Sequence, residues 1–512
     1  MRVRTVFCGA SIRFRMGLAV LIALTGCCVA DAAPLTTGRT CQSLSAVSVD
    51  GLTVTLAESV KAGADPRYPK LPAFCRVTAT LRPTSDSEIK IEVWMPEMPV
   101  WNGKYEGTGN GGWGGAIDHG AMAAAVARGY AASSTDTGHI GGSASFAMGH
   151  PEKLIDFGYR SVHGMTVAAK ALIAAFYGEG PKLAYFEGCS SGGRQALMEA
   201  QRFPQDYDGI IAGSATNNWT KMMFGRIWVG QATLSDPASY IPAAKYPVIH
   251  RAVLAACDAT DGVKDGVLDD PTKCTFDPGV LACKNGADAA DCLTKTQVEA
   301  ARKIYTPATN PRTGEQIFPP MERGSELVWG RLAGGPKPIE LADDYFKYVV
   351  FEDPQWDFRT LNFDGDEAKA IKQDGGVLSA TNPDLRPFFA RGGKLITYHG
   401  WTDQQVMPEN SINYYKSVVA AVGEEKADTS YRLFMAPGMN HCGGGDGPNK
   451  FDMLGVLEAW RENGKAPDAV LASHATDGKV DRTRPLCRYP EVAKYKGSGS
   501  TDDAANFTCV RP

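Results

Sequence analysis

A chain of 512 residues is long enough for one large domain with an insertion, or for two or three domains. Apolar residues make up 44% and charged residues 21%, the balance of an ordinary globular protein, and a net charge of −4 without a long basic run excludes nucleic acid as the expected partner. Beyond the N-terminus no stretch is long and apolar enough for a transmembrane segment, while 56 glycines and 31 prolines imply many turns.

The first element is a targeting segment. Arg2, Arg4, Arg13 and Arg15 precede an apolar run, Met16 to Thr25, that is too short to span a bilayer. Residues 1–33 read as a signal peptide with small residues for cleavage at Ala30-Asp31-Ala32; Leu24-Thr25-Gly26-Cys27 also resembles a lipobox, which would leave a lipid on Cys27. Secretion or export to the periplasm is therefore expected. Of 13 cysteines, Cys8, Cys27 and Cys28 fall in the leader, and the ten that remain favour five disulfides in an oxidising compartment. Short spacings suggest Cys257–Cys274, Cys283–Cys292 and Cys487–Cys509, and Cys41–Cys75 completes the set once Cys189–Cys442, argued below, is included. No Cys-x-x-Cys is present, which argues against zinc.

Residues 85 to 215 read as α/β. "IKIEVWMP" (89–96) alternates like a half-buried strand, "GYAASSTDTGH" (129–139) is a strand running into a loop, and "VHGMTVAAKALIAAFYG" (162–178) has helical periodicity. "LAYFEG" (183–188) is a strand and "GGRQALMEAQRFP" (192–204) a helix stopped by proline. Between them lies Gly188-Cys189-Ser190-Ser191-Gly192, a G-x-S-x-G sequence at a strand–turn–helix junction, the context of a nucleophile elbow centred on Ser190, with Ser191 as the rival. Residues 217–385 turn rich in Pro, Asp, Gly and Trp with little alternation, as an inserted lid would; residues 34–216 and 386–512 then form the catalytic α/β-hydrolase core. In the lid, Asp258, Asp261 and Asp265 with Gly262 and Gly266 bring hard oxygens into a tight loop suited to Ca²⁺, without the spacing of an EF-hand; the bland alternative is a solvated acidic loop. The α/β pattern resumes at "GGKLITYHGWTDQQVMP" (392–408), followed by the helix "NSINYYKSVVAAVG" and the strand and loop "YRLFMAPGMNHCGGG". From about residue 480 the tail is polar.

Ester cleavage needs a nucleophile, a base and a carboxylate that orients the base, in α/β-hydrolases in the chain order Ser, Asp, His. Ser190, Asp403 and His441 supply that order, each after an expected strand; His399 is a rival near Asp403. Cys189 precedes the serine and Cys442 follows the histidine, so a Cys189–Cys442 disulfide would tie the two loops together. One oxyanion donor is expected at the Ser191 amide and another in the glycine-rich loop Gly107 to Gly115, at Gly111; no Lys-Ser/Thr follows that loop, so it is not a P-loop.

The Cys189-Ser190, Asp403 and His441-Cys442 combination resembles the tannase and feruloyl esterase family, over roughly residues 40 to 510. The resemblance implies an α/β-hydrolase fold with a lid, a serine esterase working through an acyl-enzyme on small aromatic carboxylic esters of the feruloyl, caffeoyl or galloyl type, and a structural lid calcium held by Asp258, Asp261, Asp265 and the carbonyls of Val263 and Val267. A terephthalate monoester is the alternative substrate, and a non-catalytic, calcium-stabilised binding protein the alternative of another class. Trp356, Phe358 and other lid aromatics are candidate walls for an aromatic ring, although packing in the lid's own core is the stronger reading of them, and Arg323, Arg331 and Arg359 are candidate partners for a carboxylate.

Overall fold

The computed structural model describes residues 38–284 and 288–512; the expected signal peptide, Cys27 included, lies outside the described residues. The chain enters through strands β1 (Leu52–Val60), β2 (Phe74–Leu81), β3 (Ile89–Pro96), β4 (Lys104–Thr108), β5 (Ala131–Thr135), β6 (Leu183–Cys189) and β7 (Gly209–Gly213). Two short strands, β8 (Ala308–Thr309) and β9 (Gln316–Phe318), form a separate ribbon before β10 (Lys394–Gly400) and β11 (Tyr431–Ala436) rejoin the main sheet. That sheet has nine strands in the order β1-β2-β3-β5-β4-β6-β7-β10-β11. From β1 to β5 the pairing is antiparallel, and from β5 through β4 to β11 it is parallel.

The parallel half is covered on both faces, which is why β7 (GIIAG) is wholly buried and small. Phe186, Ile210 and Leu395 face the helices Ser161–Tyr177, Ser191–Arg202 and Glu409–Val422. Tyr185, Ile211 and Ile396, one residue along, face His119–Ala127 and Met453–Asn463. β3 differs from its expected half-burial: only Lys90 is exposed, because the strand lies between β2 and β5 under helices, and Glu92 is kept inside by Arg76 at 2.7 Å and the Trp94 indole at 2.6 Å.

Every strand of the main sheet lies outside residues 217–385. That segment builds a helical layer around the buried helix Trp219–Leu234, with Trp329, Phe346 and Phe358 in its core, and takes in Trp113 and Phe157 from loops of the sheet region. At about 1.5–3 kcal/mol for each large side chain buried, this seam is a strong one. Phe358 is buried there, and Trp356 stacks on Phe346 and Phe351 at 5.0 and 5.4 Å. Phe358 is thus a core residue of this segment and Trp356 is half-buried against that core, as the stronger sequence reading has it.

The polar tail is more structured than its composition suggests. β12 (Ala469–Thr476) and β13 (Lys479–Cys487) make a hairpin around Asp477-Gly478, both at positive φ, and β14 (Val492–Tyr495) pairs with β15 (Phe507–Val510). Val470, Ala472 and Leu486 anchor the hairpin on the sheet's second face, while the alternate residues stay in water. Five disulfides are formed: Cys41–Cys75, Cys189–Cys442, Cys257–Cys274, Cys283–Cys292 and Cys487–Cys509. Among the described residues no helix is long and apolar enough to cross a membrane.

Candidate active site

Ser190, Asp403 and His441 stand just beyond the C-terminal ends of β6, β10 and β11, the edge where open α/β sheets gather their ligands. Ser190 has φ 62° and ψ −120°, a strained turn between β6 and the helix Ser191–Arg202 that costs on the order of 1–3 kcal/mol. The surroundings hold it there. Its N–H donates to Gly213 O, and its carbonyl accepts from the N–H groups of Arg194 and Thr216. The flanking glycines are steric requirements: a Cβ on Gly188 would lie 2.5 Å from Gly192 C, and one on Gly109 would lie 2.6 Å from Gly192 Cα. Three backbones meet where no side chain fits.

Asp403 is fully buried. Its Oδ1 accepts from the N–H groups of Gln405 (2.7 Å) and Val406 (2.9 Å), and its Oδ2 lies 2.7 Å from His441 Nδ1. A carboxylate only accepts, so His441 Nδ1 carries the proton and Nε2 is left as the basic nitrogen. Among the described residues neither His441 Nε2 nor Ser190 Oγ has a hydrogen-bond partner. Burial alone would raise the Asp403 carboxyl; the charge of His441 and the hydrogen bonds from His399 and His441 outweigh it and hold the group far below the usual carboxylate range.

Two stitches bring the histidine loop to the others. Cys189 and Cys442 are joined with Cα atoms 6.0 Å apart across 253 residues, so the chain neighbours of both half-cystines share one edge of the sheet. Thr402 Oγ1 donates to Asn440 Oδ1 at 2.9 Å, and a Cβ on Gly400 would meet Met439 O at 2.1 Å, so these loops touch backbone to backbone.

The glycine-rich loop is fixed from the helix Ser191–Arg202. Gln195 accepts the Asn110 N–H at 2.9 Å and donates to Asn110 Oδ1 at 3.1 Å, while Ser191 Oγ donates to Gly112 O at 2.7 Å. Asn110 N–H is therefore spent. Gly111 N–H, next along, has no partner among the described residues, and Ser191 is the first residue of its helix, where N–H groups lack intrahelical acceptors. The Asn110–Gln195 pair was not singled out from the sequence, where its only signal is an amide side chain one turn into that helix.

Of the three lid arginines, Arg359 is paired with Asp357, and Arg323 donates to Phe276 O and lies over the Tyr305 ring. Arg331 is exposed and points its Nε at Gln405 Oε1, 3.4 Å away, on the loop that carries Asp403.

The acidic lid loop is a separate feature. Asp258 accepts from the N–H groups of Asp265 and Gly266, Asp261 from those of Val263 and Asp269, and Asp265 from that of Val267. Arg484, arriving from β13, pairs with Asp265 at 2.5 Å and lies 3.7 Å from Asp269. Burial pushes Asp261 up, and Asp269 up to about 7 despite the Arg484 charge. Four carboxylates and one guanidinium leave the loop anionic, the donor chemistry a hard cation takes, and the carbonyls of Val263 and Val267 accept no hydrogen bond among the described residues. Its carboxylates stand wider apart than those of His163, Glu199 and Asp206, the described donor triple whose atoms all fall within 4.8 Å.

The sequence matches the model of a family described as tannase and feruloyl esterase over residues 75–510. It is 39% identical to an uncharacterized esterase of Xanthomonas campestris pv. campestris, covering 96% of this chain and 95% of the relative, and 34% identical to a probable feruloyl esterase B-2 of Aspergillus terreus, covering 85% and 86%. The crystal structure of feruloyl esterase B from Aspergillus oryzae superposes with a TM-score of 0.86 at 32% identity, over 92% of this chain and 99% of that one. A tannin acyl hydrolase from Aspergillus niger shares the fold with a TM-score of 0.78 at 23% identity, over 92% and 95%.

Proposed function

The chain belongs to the tannase and feruloyl esterase family and is a carboxylic ester hydrolase, and we propose that it is a secreted serine esterase acting on aromatic carboxylic esters, with Ser190 as nucleophile, His441 as base and Asp403 as the carboxylate that orients it. The observation that carries this reading is the strained Ser190 elbow tethered through Cys189–Cys442 to a histidine whose Nδ1 is held by a buried aspartate.

In the proposed reaction His441 Nε2 takes the proton of Ser190 Oγ as the oxygen attacks the ester carbonyl. The developing oxyanion is met by the N–H groups of Ser191 and Gly111. Collapse breaks the bond to the alkoxy group, which leaves with the proton from His441. Water then gives its proton to His441, attacks the acyl-enzyme and releases the acid, returning the proton to Ser190. Calcium, bound by Asp258, Asp261, Asp265 and the carbonyls of Val263 and Val267, would neutralise the lid loop and takes no part in these steps.

The feruloyl, caffeoyl or galloyl class is our reading of the acyl group, supported by the family's description as tannase and feruloyl esterase and by a relative named probable feruloyl esterase B-2. Arg331 supports a second reading, a terephthalate monoester, since it is a lid cation without a carboxylate partner among the described residues and reaches the Asp403 loop. Turnover of methyl ferulate, methyl gallate and a terephthalate monoester by the wild type and by Ser190→Ala tests both readings. Hydrolysis that survives Ser190→Ala, or that is seen with none of the three esters, overturns the proposal.

A further inference from the structure

Asp403 holds two histidines. His399, the penultimate residue of β10, is fully buried, and its Nε2 lies 3.1 Å from Asp403 Oδ2, the same oxygen that meets His441. It also lies 2.9 Å from Val406 O. Both neighbours are acceptors, so Nε2 bears the proton and is shared between them. On the other side of the ring Nδ1 lies 2.7 Å from Ser411 Oγ on the helix Glu409–Val422. Each ring nitrogen is engaged and no atom reaches solvent, which removes His399 as a rival base: it can neither touch a substrate nor give up its proton to one.

We infer that His399 is a positioning residue for acyl transfer, fixing the Asp403 carboxylate in the orientation that His441 requires; this rests on the triad reading above. With His399 in place the carboxylate has four N–H donors, two on Oδ1 from Gln405 and Val406 and two on Oδ2 from the histidines. A carboxylate saturated in this way cannot rotate about Cβ–Cγ without breaking all four bonds. It stays ionised in a site where burial favours the neutral acid. The donation to Val406 O also closes the turn that supplies Oδ1 with its two backbone donors. Ser411, in turn, sets the plane of the imidazole.

A second effect concerns basicity. The His399 proton draws charge from Oδ2, so the carboxylate stabilises an imidazolium at His441 less than a singly bonded one would. The other charged groups facing Asp403 are Arg226, buried on the helix Trp219–Leu234 with its Nε on Gln405 O, and Arg331 at the Gln405 side chain. Loss of His399 therefore moves the acidic limb of kcat/KM, which reports the free-enzyme base, to higher pH.

The test compares His399→Leu, His399→Gln and Ser411→Ala with the wild type, each checked for folding by its melting curve. His399→Leu keeps the bulk without a donor; Gln returns an N–H near the Nε2 position; Ser411→Ala leaves the imidazole but frees its plane. On a p-nitrophenyl ester His399→Leu should lower kcat roughly 10²-fold, the scale on which outer hydrogen-bond partners act, with KM almost unchanged. Its acidic limb should shift upward, Gln should recover most of the loss, and Ser411→Ala should lower kcat by a few fold. The rate of fluorophosphonate labelling at Ser190, in which the serine oxygen bonds to phosphorus, fluoride leaves and His441 takes the proton, should fall in the same order. A folded His399→Leu with wild-type kcat and acidic limb overturns the inference, as does a Gln variant no better than Leu, which would leave packing alone. If the Leu variant does not fold, wild-type kcat and acidic limb in both Gln and Ser411→Ala overturn it. A wild type left unlabelled at Ser190 overturns the triad reading and this inference with it, whereas a labelled wild type and equally fast labelling of His399→Leu overturn only the role of His399.

Discussion

Two regions bury aspartates, and they solve the same electrostatic problem differently. In the core, the lone Asp403 is met by two backbone N–H groups and two imidazole N–H groups, which together with the charge of His441 hold it ionised. In the lid, Asp258, Asp261, Asp265 and Asp269 share backbone donors and one guanidinium, and burial leaves Asp261 and Asp269 with raised pKa values. The core site is self-sufficient and can keep a fixed charge for chemistry. The lid loop carries negative charge that its backbone donors and Arg484 do not balance, and the calcium proposed above would balance it. Donors suffice for one buried carboxylate, whereas a cluster is balanced by a cation or by retained protons.

The largest effects should come from breaking the core arrangement. Ser190→Ala removes only the nucleophilic oxygen, and kcat should fall by up to roughly 10⁶-fold with the melting temperature nearly unchanged or raised by release of polar burial. Asp403→Asn keeps the Oδ1 bonds but offers an amide N–H, or a neutral oxygen, to His441, and should cost about 10⁴-fold in kcat by favouring the wrong tautomer. Single-turnover assays on a p-nitrophenyl ester measure both. An Asp403→Asn enzyme within tenfold of wild type would show that the ionised carboxylate is not what the core was built to keep.

Next in size is the tether. Replacing Cys189 and Cys442 together by alanine frees the histidine loop from the elbow, leaving the Thr402–Asn440 bond and the Gly400–Met439 approach to hold it. We expect kcat to drop on the order of 10²-fold, as misplacement of about 1 Å does. Stability should change by a smaller share, because the sheet beneath is closed by β6, β7, β10 and β11. A variant that loses stability but not kcat would make this disulfide an ordinary staple.

Much of this was legible in the sequence for one reason: the chemistry sits on short contiguous signals. The elbow glycines are dictated by backbone contacts at Gly109, Gly188 and Gly192, and each member of the Ser190, Asp403 and His441 set follows its own strand. The two cysteines adjoin the residues they tether. What was hidden depends on distant or irregular partners. β1 fully buries none of its residues at the sheet edge and shows no clean apolar period. His399 reads as a rival base because nothing local reveals Ser411 and Val406 closing around it. Arg484 reaches Asp265 across 219 residues, whereas the core role of Trp356 and Phe358 was the stronger reading from the sequence and is the one the structure shows. Burial pattern alone does not separate a strand covered on both faces from one covered on a single face, which is where β3 departs from expectation.

The lid loop gives a smaller effect that sharpens the comparison directly. Chelation with EDTA should lower the melting temperature by a few degrees, Ca²⁺ should restore it, and Mg²⁺, with its smaller octahedral shell, should not. The Cys257–Cys274 bridge limits the loosening. Activity well below the transition should hold, because the loop's aspartates bond to one another's backbone and to Arg484, and none bonds to Ser190, Asp403 or His441. A melting curve indifferent to EDTA would mean that Arg484 and retained protons already satisfy the cluster.

The smallest expected effect tests a buried acid at the seam between the two regions. Glu322, in the lid, is 4% exposed, and burial together with the Glu409 carboxylate pushes its carboxyl up to about 8. In the unfolded chain a glutamate titrates near 4.3. Between these values the folded protein keeps a proton that the unfolded chain has released, so it binds more protons and its stability falls as pH rises through the window. Glu322→Gln puts a neutral amide of the same shape in place of the protonated acid. Near pH 5 the two proteins should melt alike, since Glu322 is neutral there. At pH 9 the variant should melt higher, by about 1–3 °C, because the wild type must either hold its proton against the solution or bury a second charge beside Glu409. Melting curves at matched ionic strength from pH 5 to pH 9 measure the difference. Parallel slopes for the two proteins would mean that Glu322 is ionised throughout, and that the lid seam, like Asp403 in the core, supplies donors enough for its carboxylate.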